Sequence, residues 1–337
     1  METQKRGKQS FILRQPPTIT TWASVAGKKE SEGPIANTFD VRQEQTYFGE
    51  KTWEQAEKRM QQIALTTLLK KAGITKNDIG IVFSGDLLNQ CVGSSLSLSN
   101  MAIAHLGLYG ACSTMAESLL MATMAVCGGF SDNVVAMTSS HFAASERQYR
   151  FPLGYGGQRT PTAQWTVTGS GAALVCSKGT GPKIKACTVG SVVDLGICDA
   201  NNMGAAMAPA ALSTIRAHFE DLSTTADDFD LIVTGDLGQL GKEILLTLAQ
   251  KEGLNLGGKL TDCGTLVFDI LKQDVHAGGS GCGCSAITLC GYLLNKLNSG
   301  KLKKILFCGT GALLSPTSNQ QGLSIPGVCH AVSISGG

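Results

Sequence analysis

The stretches NDIGIVFSGDLL, residues 77–88, and DDFDLIVTGDLG, residues 227–238, repeat one another 150 positions apart. In both, an acidic turn leads into an apolar run of strand length that ends in Ser/Thr-Gly-Asp-Leu. An uninterrupted apolar run suits a strand covered on both faces. The segments downstream of the two copies also correspond. The first copy is succeeded by a polar loop and then LGLYGACSTMAESLLMATMAVCGGFSDNVVAMTSSH (106–141), which reads as strand end, helix, Gly-Gly turn and buried strand. The second is succeeded by VHAGGSGCGCSAITLCGYLLNKLNSGKLKKILFCGTGALLSP (275–316), with the same order of small residues, helix, Gly turn and apolar strand. Strand, helix and strand in that order predict parallel β-α-β units, so two sets predict an internally duplicated α/β protein. TVTGSGAALVCS (166–177) closes the first set and PKIKACTVGSVVD (182–194) opens the second, which divides the chain into halves 1–184 and 185–337.

Bulk composition excludes several classes of function. With 337 residues, 16% charged and a net charge of +2, the chain has no electrostatic footprint for nucleic acid. The twelve cysteines are scattered in apolar contexts, and METQKRGKQS at the start has no signal-type apolar stretch, so reduced thiols in an intracellular compartment are expected. Their only close pair is Cys282 and Cys284, which does not make a zinc site, and no metal is expected. LLMATMAVCGGF (119–130), the longest apolar stretch, falls short of the roughly 18 residues that span a membrane, leaving membrane association that is peripheral or through a partner. GSGCG and GTGAL lack the spacing of a nucleotide-binding loop, and no cofactor is expected. NNMGAAMAPAAL (201–212) reads as core or dimer packing, and His105 and His218 fall in helical patterns.

In open α/β folds ligands collect beyond the carboxyl ends of parallel strands. That rule gathers Asp86, Asn89, Cys112, Ser140, His141, Asp236 and His276. Cys112 opens a helix, where unpaired backbone N–H groups favour a thiolate; the alternative is a small buried thiol. ERQYRFPLGYGGQRTP (146–161) interleaves Arg147, Arg150 and Arg159 with Tyr149, Phe151 and Tyr155. Guanidinium forks with flanking aromatics suit a planar anion, although these arginines could equally pair with protein carboxylates or line a subunit interface.

Taken together, the two β-α-β halves, GACST around Cys112, TGSGAALV and HAGGSG resemble the thiolase and ketoacyl-synthase superfamily. The resemblance implies a thiolase-like αβαβα five-layer fold, internally duplicated, and a homodimer. Longer strings, among them GDLLNQ (85–90), SSHFAASERQYRFPLGYGGQ (139–158) and HAGGSGCGCSA (276–286), resemble a branch of that superfamily concerned with spore formation. This implies a non-catalytic subunit of a spore membrane complex. Such a subunit binds dipicolinic acid, with or without calcium, for uptake into the developing spore, touches the membrane subunits of that complex, and lies peripherally at the spore inner membrane.

Condensing enzymes need a thiolate and two further polar groups that stabilise the oxyanion and handle protons. By resemblance, Gly235 falls where one family member's histidine stands, with Asp236 next to it, while His276 fits the His-x-x-Gly spacing of thiolases and Gly279 is the alternative there. Cys329 is followed by His330 instead of the Gly pair of the thiolase second-cysteine turn. The expectation is therefore a vestigial Cys112 and no catalytic set. The old acyl pocket would bind ligand through Cys112, His276, His141, Arg147, Arg150, Asp86, Asn89 and Asp236, with an arginine on a carboxylate and the two aspartates available to calcium. The rival expectation is an active acyltransferase using Cys112.

Overall fold

A computed structural model describes residues 3–149 and 158–337. In the first half the chain forms β1 (Thr18–Ala26), α1 (Trp53–Ala72), β2 (Ile81–Gly85), β3 (Ala104–Gly107), α2 (Thr114–Cys127), β4 (Asn133–Ser140), α3 (Phe142–Tyr149) and β5 (Gly169–Cys176). The second half forms β6 (Lys183–Thr188), α4 (Met203–Leu222), β7 (Leu231–Thr234), α5 (Gly238–Lys251) and β8 (Leu260–Asp262). It continues with α6, which runs from Cys282 to Asn298 through a π-helical stretch Thr288–Leu293, then β9 (Lys304–Ala312) and β10 (Gly327–Ser335).

The duplication is explicit in the strand order. The first half-sheet runs β3-β2-β4-β5-β1 and the second β8-β7-β9-β10-β6. In each, the first three strands named are mutually parallel and the last two pair antiparallel. The halves join where β6 meets β1 at Lys183 and Thr18, flanked by the Ile19 N–H on the Pro182 carbonyl and the Ile184 N–H on the Pro17 carbonyl, and where the strand Ser10–Leu13 pairs antiparallel with β6.

Strand periodicity explains why the repeats read as apolar throughout. Successive side chains point to opposite faces. Val82 enters an outer core with Met60, Leu65 and Leu68 of α1, whereas Phe83 enters a middle core with Leu119 of α2 and Ile287 and Leu293 of α6. In the second half Ile232 and Leu306 enter the other outer core with Met207 and Phe219 of α4, and Val233 and Phe307 enter the middle one. Three cores between five layers make the αβαβα arrangement. Each fully buried Leu, Met or Phe here is worth about 1.5–3 kcal/mol of transfer free energy.

The outer helices are delimited by local chemistry. Thr52 caps α1 by accepting from the Gln55 N–H, and Gly73 ends it at φ +67°, a left-handed conformation glycine adopts without strain. Asn202 caps α4 through the Ala205 N–H. The NNMGAAMAPAAL segment thus supplies the start of a helix whose Met207, Ala208 and Ala211 lie in the core. His218 is helical as its pattern suggests, but His105 lies in β3. A four-residue strand is too short for either period to declare itself. All twelve cysteines are free thiols. Among the described residues, no helix is long and apolar enough to cross a membrane.

Candidate functional site

Cys112 does not lie in α2 itself. It sits in a single 3-10 turn, Ala111–Ser113, that leads into the helix, and Ala111 adopts a left-handed φ of +51° to make the entry. Strand β9 presses on this turn through glycines. A Cβ on Gly309 would come within 2.6 Å of the Ala116 Cβ, and one on Gly311 within 2.7 Å of the Gly110 carbonyl oxygen. The GTGAL motif is therefore a packing device, in which Thr310 between the two glycines turns toward the site.

Thr310 meets Asp236, the residue just beyond β7. Its hydroxyl donates to Asp236 Oδ1 at 2.8 Å and accepts from the Asp236 N–H at 3.0 Å. Oδ2 accepts from the Gly281 N–H at 2.9 Å and from the Ser280 hydroxyl at 3.2 Å, and the Cys112 thiol also hydrogen-bonds the carboxylate. Asp236 is wholly buried, which raises its pKa, while these donors oppose the rise. Burial, and then the charge of Asp236, push the Cys112 thiol well above its ordinary range; the Gly281 N–H is a weaker pull downward.

A second buried acid braces the loop that carries Asp236. Asp262, at the end of β8, accepts from the N–H groups of Leu237, Gly238 and Gly264 and from the Thr234 hydroxyl. Burial raises its pKa to about 7. Gln164 clamps the other side, its Nε2 donating to the carbonyls of Asp236 (2.7 Å) and Gly279 (2.8 Å).

A cavity of about 90 Å³ opens beside Cys112. Leu87, Tyr149 and Leu314 give it apolar walls, and Gln164, Glu146 and Ser280 polar ones. Tyr149 is fixed by donating to the Leu87 carbonyl at 2.7 Å, and Glu146 accepts from the Thr166 hydroxyl at 3.0 Å. Cys282 packs against Cys112 and Leu87, its thiol donating to the Ser139 carbonyl at 2.9 Å. Among the described residues the lining holds no Lys, Arg or His.

The residues singled out in the sequence are dispersed. Of them, Cys112 and Asp236 meet. Asp86, the repeat counterpart of Asp236, is also buried but turns into its own loop, accepting from the N–H groups of Leu88 and Ser94 and from the Ser94 hydroxyl. Asn89 lies at the surface with Gln148 and Tyr109. His141 caps the start of α3, its Nδ1 accepting from the Ala144 N–H and its Nε2 meeting the Thr46 carbonyl at 2.8 Å; it lines a different groove. His276, at φ +50°, meets the Thr160 carbonyl through Nδ1 and Asp274 through Nε2. It is absent from the lining beside Cys112. Arg147 pairs with Glu54 and lies over Trp53, half-exposed. Arg150 lies outside the described residues.

Gly235, at the position the resemblance assigns to a histidine, abuts Thr310, and it is Asp236 that reaches the thiol. Sequence reading missed Glu146, Gln164 and Thr310. Glu146 and Tyr149 stand three apart on α3, and that spacing was the available signal for a shared face. Gln164 carried none.

Comparison with known proteins agrees with this fold. The sequence pattern of the Stage V sporulation protein AD family matches residues 7–335. The Stage V sporulation protein AD of Bacillus subtilis is 43% identical over 326 residues, covering 97% of this chain and 96% of that protein. Among solved structures, 3-oxoacyl-[acyl-carrier-protein] synthase III from Aquifex aeolicus superposes with a TM-score of 0.57 at 12% identity, covering 95% of this chain and 99% of that one. OleA from Xanthomonas campestris gives 0.59 at 13% identity, covering 95% and 96%. The chain thus carries the thiolase-like fold of the ketosynthase III enzymes and belongs to the Stage V sporulation protein AD family.

Proposed function

We propose that the chain is a non-catalytic ligand-binding subunit of the spore membrane complex that takes dipicolinic acid into the developing spore, and that the ligand occupies the cavity beside Cys112. The observation that carries this reading is the Asp236 carboxylate on the Cys112 thiol. Acyl transfer needs a thiolate and donors aimed at a developing oxyanion. Here the neighbour of the thiol is an acid, and the Gly281 N–H and Thr310 hydroxyl are committed to that acid. The site is degenerate as a condensing centre and intact as a cavity.

The charge of the cavity selects the form of the ligand. Asp236 lies beside Cys112 and Ser280, so a bare dicarboxylate would meet like charge. The calcium complex of dipicolinate is neutral and meets no such penalty. Asp86 is taken up by its own loop, so calcium arrives with the ligand instead of waiting in a protein site. The protein acts as a homodimer at the inner membrane surface, docked on the membrane subunits of the complex. Strand β3 supports the dimer: it is the end of its half-sheet, with Leu106 exposed, and an open edge invites pairing with a second copy.

Titration calorimetry with dipicolinate, with and without calcium, on the wild type, Cys112→Ala and Arg150→Ala tests the reading. Saturable binding that strengthens with calcium and weakens at least about tenfold in Cys112→Ala is expected. Absence of binding in both conditions, together with labelling of Cys112 by an acyl thioester, would replace it with the acyltransferase reading, which the Gly281 N–H beside the thiol supports.

A further inference from the structure

Two groups of exposed apolar side chains lie on the described surface. Leu106 and Tyr109 stand at the β3 edge, which is assigned above to the dimer. The other group is Val192 (60% exposed), Leu195 (65%) and Leu323 (55%), carried by the segments 189–201 and 313–326 that flank β10 and precede α4.

These segments are bonded to each other. The Val193 N–H donates to the Gly327 carbonyl at 2.9 Å, the Gly327 N–H returns to the Val193 carbonyl at 2.7 Å, and the Ile325 N–H reaches the Ile197 carbonyl at 2.7 Å. The Ser324 hydroxyl donates to Asp194 Oδ2 at 2.6 Å, so Leu323 and Leu195, the adjoining residues, stand at either end of one hydrogen bond. Single exposed leucines are ordinary on a surface. A group of them held out by a bonded framework marks a place where another molecule sits.

The charge around the group has one sign. Neither segment contains Lys or Arg, and they carry Asp194 and Asp199. The Ser324 hydroxyl and then the Gly196 N–H hold the Asp194 carboxyl below the usual carboxylate range, so it stays ionised. Asp199 accepts from the Asn201 N–H at 2.9 Å. Among the described residues neither carboxylate has a Lys, Arg or His at ion-pair distance. Gln9 bonds the Val189 carbonyl and the Ser191 hydroxyl, and Lys8 beside it lines a separate groove with Phe11 and Met124. An anionic bilayer surface is repelled by such a patch, whereas an apolar segment bearing cations meets both its leucines and its aspartates.

The same segments reach the Cys112 cavity. Ala200, Asn201 and Leu314 belong to its lining. A molecule seated on Val192, Leu195 and Leu323 therefore stands on the segments that wall the site.

We propose that this patch is a docking surface for an amphipathic, Lys/Arg-bearing segment of a partner protein, which seats its apolar side on Val192, Leu195 and Leu323 and its cations on Asp194 and Asp199. For the source of that segment the proposal rests on the reading above: in a membrane complex the cytoplasmic loops of the membrane subunits are the Lys/Arg-rich ones. The surface itself does not depend on what occupies the cavity, so failure of dipicolinate binding and failure of docking are separate results.

The probe is a fluorescein-labelled amphipathic helix of leucine and lysine, about four turns long, with a counterpart in which glutamate replaces lysine. Fluorescence anisotropy should show saturable binding of the lysine peptide, weakening as salt rises, and none of the glutamate peptide. Leu195→Ser and Leu323→Ser should each weaken the midpoint about tenfold, as loss of one leucine contact does. Asp199→Asn should weaken it about threefold and flatten its salt dependence. Leu271→Ser, which removes a leucine 96% exposed on a different loop, should leave it unchanged. Equal binding of the glutamate peptide, or a midpoint unmoved by both Leu195→Ser and Leu323→Ser in variants that melt like the wild type, would overturn the proposal. So would self-association in sedimentation velocity that Leu195→Ser abolishes, which would give the patch to a second copy, or co-sedimentation with phosphatidylglycerol vesicles that Leu195→Ser abolishes, which would give it to the bilayer.

Discussion

Replacing Asp236 by asparagine removes one charge from the most enclosed part of the site and leaves the side chain's shape. In the wild type a Cys112 thiolate would face the wholly buried Asp236 carboxylate, with the thiol opening only onto the cavity. With about 4 Å between charge centres and an effective dielectric constant near 20, the repulsion is about 4 kcal/mol. The amide lifts that repulsion, and the Gly281 N–H, released from the carboxylate, can serve the sulfur. Some of the gain is lost as Ser280 and Thr310 readjust, so the expected effect is at least about a tenfold faster alkylation of Cys112 by iodoacetamide at pH 8. The assay must follow the Cys112 peptide by mass spectrometry, because Cys198 is exposed and will react in both proteins. Mismatched donors should lower stability by about 1–3 kcal/mol, measured separately by thermal melting. An unchanged or slower rate at Cys112 in a folded variant would refute the claim that Asp236 holds the thiol unreactive.

Buried groups give further expectations. Glu30 is fully buried with its pKa raised to about 7, so in the folded state it ionises above the pH at which the unfolded chain does, and its cost to stability grows as pH rises through 7. Glu30→Gln should therefore gain on the wild type by about 1 kcal/mol more at pH 8 than at pH 6 in denaturant melts; a constant difference would contradict the shift. His218 is pressed the other way, down to about 4 by burial, so its contribution is present above about pH 6.5 and is lost as pH falls toward 4, by on the order of 3 kcal/mol. His218→Asn should flatten that part of the acid limb, and an acid limb identical to the wild type's would argue against it. Gly309→Ala should destabilise by more than about 2 kcal/mol and disturb the Cys112 turn, because its methyl group would collide with Ala116 at 2.6 Å; a melting temperature within a degree of the wild type's would show that the turn yields.

The fold was legible in the sequence to the extent that it is periodic. The repeats at 77–88 and 227–238 became β2 and β7 because two-sided burial leaves an apolar run, and the helices and strands after them kept their order. Cys112 was legible as a residue at a helix entry. Its actual neighbours were not, because Asp236, Thr310 and Gly281 come from segments far apart in the chain, and the repeat treats Asp86 and Asp236 alike although one serves its own loop and the other crosses to the thiol. The histidines misled for a related reason. His141 and His276 lie near strand ends, but their rings satisfy backbone carbonyls of Thr46 and Thr160, and such local bonds leave no mark in spacing. Of the arginines in the arginine-aromatic alternation of 146–161, Arg147 pairs with Glu54 and Arg159 with Asp274, the pairing with protein carboxylates that the alternation had left open.

The cavity beside Cys112 is walled by both halves, which are held to each other by the middle core and by the pairing of β6 with β1 and with Ser10–Leu13. Any rocking of one half against the other changes the width of that cavity. Occupancy and the spacing of the halves are then thermodynamically linked: a molecule that prefers one spacing shifts the halves toward it by the free energy of that preference.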